Sequence, residues 1–205
     1  MNRKASKPEH YFTERPKSEP RFGLIQAYLK GKPFKFVTAS GVFSKDHIDL
    51  GTRLLIESMV LPDRGCLLDL GCGYGAVGVV AAVFRPDLHV AMVDLNIRAV
   101  RLARKNAELN HVWNVEVSHG RLYEPVKDTT FNCVVSNPPV SAGMKTVEAI
   151  IDQAPPHLAD DGTLQMVVKS KIGGKRLRTV FEKSFGNVCI LARGSGYRVL
   201  MSSKQ

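Results

Sequence analysis

A chain of 205 residues with 44% hydrophobic content is long enough for one full-sized domain with a real core and a short extra arm. No apolar run reaches the length of a membrane span, and the opening MNRKASKPEH has charge without the apolar stretch of a secretory signal, so a soluble, cytoplasmic protein is expected. The net charge of +10 sits at the two ends: Met1 to Lys35 has nine Lys and Arg against three acids, Phe36 to Val168 eleven against fifteen, and Lys169 to Gln205 nine against one, a division that suits either a polyanionic partner or a solvated surface.

The chain opens with four prolines among mixed charges (Pro8, Pro16, Pro20, Pro33), which predicts a basic arm over residues 1–35 with little regular structure of its own. Its aromatic residues, among them Tyr11, Phe12, Phe22, Tyr28 and Phe34, suit packing on a domain or stacking on exposed bases. A single domain over 36–205 follows. Ser44 is positioned to cap a helix from about Lys45, with Ile48, Leu54, Leu55 and Met59 on its apolar side and Pro62 ending it.

Short apolar runs then alternate with helical stretches. Strands are expected at Cys66 to Leu70, Leu88 to Val93, Val112 to Ser118, Phe131 to Ser136 and Thr163 to Val168. Ala99, Val100, Ala103 and Ala107 form one helical stripe, and Val147, Ile150, Ile151 and Ala154 another. Leu177, Val180, Phe181 and Phe185 continue at helical spacing, after which NVCILAR and YRVLMSS flank Gly194-Ser195-Gly196 as a hairpin would. The fold class this implies is α/β and Rossmann-like: a seven-stranded, mostly parallel sheet with an antiparallel C-terminal strand and helices on both faces. Cys66, Cys72, Cys133 and Cys189 form no CxxC pair and lie near no histidine at ligand spacing, which argues against a zinc site or a disulfide framework.

LLDLGCGYGAVG places Gly71, Gly73, Gly75 and Gly78 between the strand ending at Leu70 and a helix, at the sheet edge where open α/β folds bind ligands. Gly73-x-Gly75-x-x-Gly78, with Asp94 21 residues beyond Gly73, also satisfies the dinucleotide pattern, so a nicotinamide-dependent dehydrogenase stays open. Asp69 shifts the balance. A carboxylate at the tip of the first strand repels a pyrophosphate and holds a cationic amine, which S-adenosylmethionine offers, with Gly71 and Gly73 along its backbone and Asp94 on its ribose.

VVSNPP ends a later strand on the same edge. Pro138 and Pro139 fix the backbone, so Asn137 Oδ1 and the Pro138 carbonyl become stationary acceptors for the two hydrogens of an exocyclic amine, whose lone pair is then free to meet a methyl sulfonium. A solvent-exposed turn is the plain alternative.

DLGCGYG, VDLN and SNPP, in this order, resemble the class I S-adenosylmethionine-dependent methyltransferases that modify exocyclic or amide nitrogens. More narrowly, TASGVFSKDHIDLGTRLLIE, the NPP followed by AG, and GSGYRVL resemble the small-domain family that includes the bacterial 16S ribosomal RNA guanine-N2 methyltransferases and stand-alone archaeal relatives. Over Phe36 to Ser203 the resemblance implies cofactor contacts from Asp69, Gly71, Gly73, Asp94 and Leu95, with backbone groups of Gly120, Arg121 and Leu122 beside the adenine. It implies that Asn137 and Pro138 hold the target amine, that Gly41 to Ser44 help close the pocket, and that RNA, as ribosomal RNA or a ribosomal particle, is the partner; the oligomeric state is left open by the sequence, with a monomer favoured.

Two positions depart from the family's pattern. Arg121 stands where relatives often have Asp, and Val140 stands where NPPY or NPPF has its stacking ring, which leaves Phe43 as the candidate to stack on the target base. Lys169, Lys171, Lys175, Arg176 and Arg178 would track phosphates beside the pocket. Transfer to guanine N2 of ribosomal RNA is the leading expectation. Adenine N6 or a protein glutamine as acceptor, or a non-catalytic RNA-binding assembly factor with the same fold, are the alternatives.

Overall fold

A computed structural model describes residues 13–16, 18–138 and 143–205, without the side chains of 172–174. The chain order is β1 (Phe22–Leu29), β2 (Lys32–Ala39), α1 (Leu50–Ser58), β3 (Gly65–Leu70), α2 (Ala76–Phe84), β4 (Leu88–Asp94), α3 (Ile97–Leu109), β5 (Val115–His119), β6 (Phe131–Ser136), α4 (Met144–Asp152), β7 (Leu158–Lys169), α5 (Ser170–Phe185), β8 (Cys189–Gly194) and β9 (Tyr197–Ser203). Among the described residues no helix is long and apolar enough to cross a membrane.

The main sheet has seven strands in the order β5-β4-β3-β6-β7-β9-β8. Strands β3 to β7 pair in parallel, and β9, antiparallel to both of its neighbours, is the one strand that runs against the rest. The expected fold class is therefore the observed one. Its core strands read as continuous apolar runs because both faces are covered. Leu67, Val90, Met92, Cys133 and Val135 face the layer of α1, α2 and α3, whereas Leu68, Ala91, Val93 and Val134 face α4 and α5.

After β3, β4 and β5 the chain returns to the other side of β3 to form β6. The crevice outside the carboxyl ends of β3 and β6 is thus a switch point, the place where such sheets hold ligands. The β8–β9 turn matches its reading: Ser195 (φ 50°) and Gly196 (φ 79°) supply the two positive dihedrals of a tight hairpin.

Three expectations need correction. Residues 22–35 are not irregular: β1 and β2 form a two-stranded antiparallel sheet, and the expected boundary after Lys35 falls inside β2. Alternation in FGLIQAYL and KPFKFVTA buries Ile25, Leu29, Phe34 and Phe36 against the α1–α3 layer, and Pro33 is tolerated because it lies at the start of β2. Second, α1 starts at Leu50 rather than near Lys45, because Asp49 accepts from the backbone of Gly51 and Thr52. Ser44 instead sits at φ 51° and donates to the His47 carbonyl. Third, β5 begins at Val115, not Val112, and β7 at Leu158, not Thr163.

The open edge of β2 is closed by two asparagines one turn apart, Asn106 in α3 and Asn110 at its C-terminal cap. Asn106 and Asn110 each accept from and donate to the backbone, at Val37 and Lys35 respectively, so they stand in for a third strand. Asn106 is fully buried and also donates to the Tyr74 carbonyl, which ties the hairpin to the glycine loop.

Candidate functional site

A cavity of about 440 Å³ opens at the switch point. It is lined by Asp69, Gly71, Gly73, Asp94, Leu95, Gly120, Arg121, Leu122, Asn137, Pro138 and Phe43, so every expected cofactor residue comes together with Asn137 and Pro138 of the SNPP segment. Pro139 and Val140 lie outside the described residues.

The glycine loop is shaped by need. Gly71 (φ 75°) and Gly73 (φ 58°) adopt left-handed backbone, and a Cβ on either would meet no atom within 4 Å, so both expose bare backbone to the cavity. Gly78 serves packing: a Cβ there would stand 2.5 Å from Met92 Sδ.

Two carboxylates sit in this wall. Asp69, at the end of β3, is 1% exposed and its Oδ2 accepts from Gly78 N at 2.8 Å. Burial, reinforced by the repulsion of Asp94 and opposed by that hydrogen bond, pushes its carboxyl up to about 7. Asp94, at the end of β4, accepts from Gly73 N (2.8 Å) and Asn96 N (2.8 Å), and burial raises its pKa as well. A buried acid and a half-buried one, with no cation among their hydrogen-bond partners in the described residues, fit a ligand that brings a positive charge and hydroxyl donors, and fit a pyrophosphate poorly.

At the far end of the same crevice, Asn137 follows β6. Its Nδ2 donates to Thr52 Oγ1 (2.8 Å) and Asp49 Oδ2 (3.3 Å). The amide nitrogen is thereby engaged with two acceptors, and among the described residues Oδ1 remains as the acceptor. Ser136, one residue earlier, donates to the Leu70 carbonyl and locks the ends of β6 and β3 together.

Several lining residues escaped the sequence reading. Thr52 comes from the segment before the glycine loop, Thr146 and Ile150 from α4, and Glu14 from the N-terminal arm, whereas Val42 falls within the expected Gly41 to Ser44 segment. Glu14 is brought there by its carbonyl, which accepts from Ile97 N, and Arg98 donates to the carbonyls of Pro16, Ser18 and Ser40. Asn96 Nδ2 holds the Gly41 carbonyl. The first turn of α3 therefore anchors both the arm and the GVFS loop. No spacing rule links residues 14 and 97, but the i+2 position of Asn96 after Asp94 was a visible helix-cap signal.

The basic residues lie elsewhere. Lys169, Lys171, Lys175, Arg176 and Arg178 fall at the end of β7 and along α5, and none lines the cavity. Arg176 pairs with Glu148 and Arg178 with Glu182, while Lys169 lies 5.9 Å from the centre of the Tyr197 ring.

The profile of the Methyltransferase small domain family matches residues 33–201. The chain belongs to that family. It is 37% identical over 198 residues to the uncharacterized protein YbxB of Bacillus subtilis, with 96% of this chain and 98% of that one covered. It is 31% identical over 193 residues to ribosomal RNA small subunit methyltransferase C of Hamiltonella defensa, covering 91% of this chain and 56% of the relative. The T. thermophilus 16S rRNA N2 G1207 methyltransferase, solved with AdoMet and guanosine, superposes with a TM-score of 0.81 at 25% identity, over 93% of this chain and 52% of that one. The chain thus spans about half the length of these ribosomal RNA methyltransferases and nearly all of YbxB. The expectation of a methyltransferase is met, and the dehydrogenase reading is set aside.

Proposed function

We propose that this chain is an S-adenosylmethionine-dependent RNA methyltransferase that acts on an exocyclic base nitrogen, guanine N2 of small-subunit ribosomal RNA. The observation that carries this reading is Asn137: its amide nitrogen is held by Thr52 and Asp49, which leaves Oδ1 as an acceptor in the same cavity as the glycine loop and the carboxylates of Asp69 and Asp94. The similarity to the T. thermophilus enzyme, whose structure contains guanosine, supports the choice of base.

In this reading Asp69 holds a cationic amine, the bare backbone of Gly71 and Gly73 lies along the ligand, and Asp94 accepts from ribose hydroxyls. Leu95, with Gly120 to Leu122, covers the adenine. When bound, S-adenosylmethionine supplies an electrophilic methyl group and departs as a neutral thioether. Asn137 Oδ1 and the Pro138 carbonyl accept the two hydrogens of the target amine and orient its lone pair. They also stabilise the positive charge that the nitrogen gains as it bonds to carbon, before it releases one proton to water. Phe43 stacks on the base, and Lys171 and Lys175 of α5 follow the phosphate backbone.

Small ribosomal subunits and naked 16S ribosomal RNA, both unmodified, are the substrates for the test, with tritiated methyl donor. Label in RNA that digests to N2-methylguanosine is expected. Label in N6-methyladenosine, or in a protease-sensitive fraction, would overturn the choice of acceptor, and absence of both binding and transfer would favour an assembly factor.

A further inference from the structure

We infer that Asp49 is a positioning residue, which sets the orientation of the Asn137 amide and so decides that an acceptor, not a donor, faces the target amine. The inference rests on the reading of Asn137 as the group that holds that amine.

The two ends of an asparagine amide have nearly the same shape and opposite chemistry, so neighbours decide which end points where. Thr52 Oγ1, at 2.8 Å from Nδ2, does not decide it: a hydroxyl accepts from an amide nitrogen as readily as it donates to an amide oxygen. Asp49 Oδ2, at 3.3 Å, does decide it. A carboxylate only accepts, so it attracts the nitrogen end and repels the oxygen end. With the amide reversed, two oxygens would face each other, and nitrogen donors would confront the hydrogens of an amine.

Asp49 is itself held in place. Its Oδ2 accepts from Gly51 N (2.9 Å) and Thr52 N (3.1 Å) as the cap of α1, and its Oδ1 accepts from the Tyr197 hydroxyl (3.4 Å) at the start of β9. One side chain thus links the start of α1, the reversed strand and the segment after β6. A negative charge behind the amide also enriches Oδ1 in electron density, the sense needed beside a nitrogen that becomes positive.

Capping and positioning are separable by substitution. In Asp49→Ser the hydroxyl still caps α1 but is too short to reach Asn137, whereas Asp49→Asn brings an amide that can donate to Asn137 Oδ1 and turn it. These variants, Asn137→Ala and the Asp49→Ser/Asn137→Ala double variant are assayed on unmodified small subunits with tritiated donor. Melting temperature, calorimetric affinity for S-adenosylmethionine and the Asn137 side-chain amide resonances are followed in parallel. For Asp49→Ser we expect a melting temperature within about 3 °C of wild type, cofactor affinity within about twofold, and a loss of about 10- to 100-fold in kcat with RNA KM little changed. The Asn137 amide resonances shift, Asp49→Asn loses more than Asp49→Ser, and the double variant is no slower than Asn137→Ala alone.

Wild-type kcat in Asp49→Ser, unshifted Asn137 resonances, or losses that multiply in the double variant would each overturn the inference while leaving the role of Asn137 intact. If Asn137→Ala keeps the full rate, or wild type labels no RNA, the reading of Asn137 fails and the role of Asp49 falls with it.

Discussion

Protonation of Asp69 should govern cofactor binding near neutral pH. With the carboxyl at about 7, the carboxylate fraction falls to about a tenth at pH 6 and about a hundredth at pH 5. A ligand that brings an ammonium group to this acid should therefore bind about 10-fold more weakly at pH 6 and about 100-fold more weakly at pH 5 than at pH 7.5. Stability runs the other way. A folded-state pKa raised from 3.8 to about 7 favours the protonated fold, so the stability it confers is complete below about pH 4 and is lost as pH rises through 7, with a ceiling of about 4 kcal/mol. The unliganded protein is thus least stable, as far as this residue is concerned, where it binds best. Calorimetric titration of S-adenosylmethionine from pH 5 to 7.5, in two buffers of different ionisation enthalpy, measures both affinity and protons released; about one proton should leave per ligand at pH 6. Asp69→Asn should flatten the profile and weaken binding at pH 7.5 by about 10- to 100-fold, the worth of a charge-assisted hydrogen bond, while Asp94→Asn, whose acid is also raised, should keep the slope. An affinity that is constant over this range, or an Asp69→Asn variant that retains the wild-type slope, would refute the reasoning.

Gly78→Ala should cost about 1–3 kcal/mol in urea unfolding, because its Cβ would press on the fully buried Met92. Asn106→Ala should cost about 2–4 kcal/mol, since it strands the Val37 amide and the Val37 and Tyr74 carbonyls inside the fold; Asn110→Ala, at an exposed site, should cost under about 1 kcal/mol by the same measurement. Arg98→Ala should release the arm and the GVFS loop and weaken cofactor binding several-fold by calorimetry with little loss of stability, an outcome that equal affinity would contradict. Lys171→Glu with Lys175→Glu, both exposed and outside the cavity, should weaken RNA binding and flatten its salt dependence while cofactor affinity stays unchanged.

The sheet and the glycine-loop wall of the cavity were legible because each rests on a local signal. Buried strands between helices read as apolar runs, and the turn at Gly71 to Gly75 needs backbone that glycine alone adopts freely. The hairpin of β1 and β2 was legible too, in its alternation and in the Lys30-Gly31 turn, whose positive dihedrals (46° and 79°) match those of Ser195-Gly196. The prolines of the arm drew the reading toward irregular structure, although Pro33 lies at the start of a strand, where a missing amide costs little.

The start of α1 was not legible, and the reason bears on the site. SKDHIDLG offers Ser44, Asp46 and Asp49 as possible caps, and local propensity ranks them nearly alike. Contacts distant in sequence choose among them. Thr38 Oγ1 donates to the Lys45 carbonyl and holds that segment against the hairpin, while Tyr197 and Asn137, 148 and 88 residues away, converge on Asp49. The helix therefore begins where its cap also meets Asn137 and Tyr197. A sequence pattern reports the capping half of that role, since it lies within three residues, and is silent on the half that crosses the fold. The same division explains Glu14 and Thr52: each reaches the cavity through hydrogen bonds to α3 or to Asn137 that no spacing along the chain encodes.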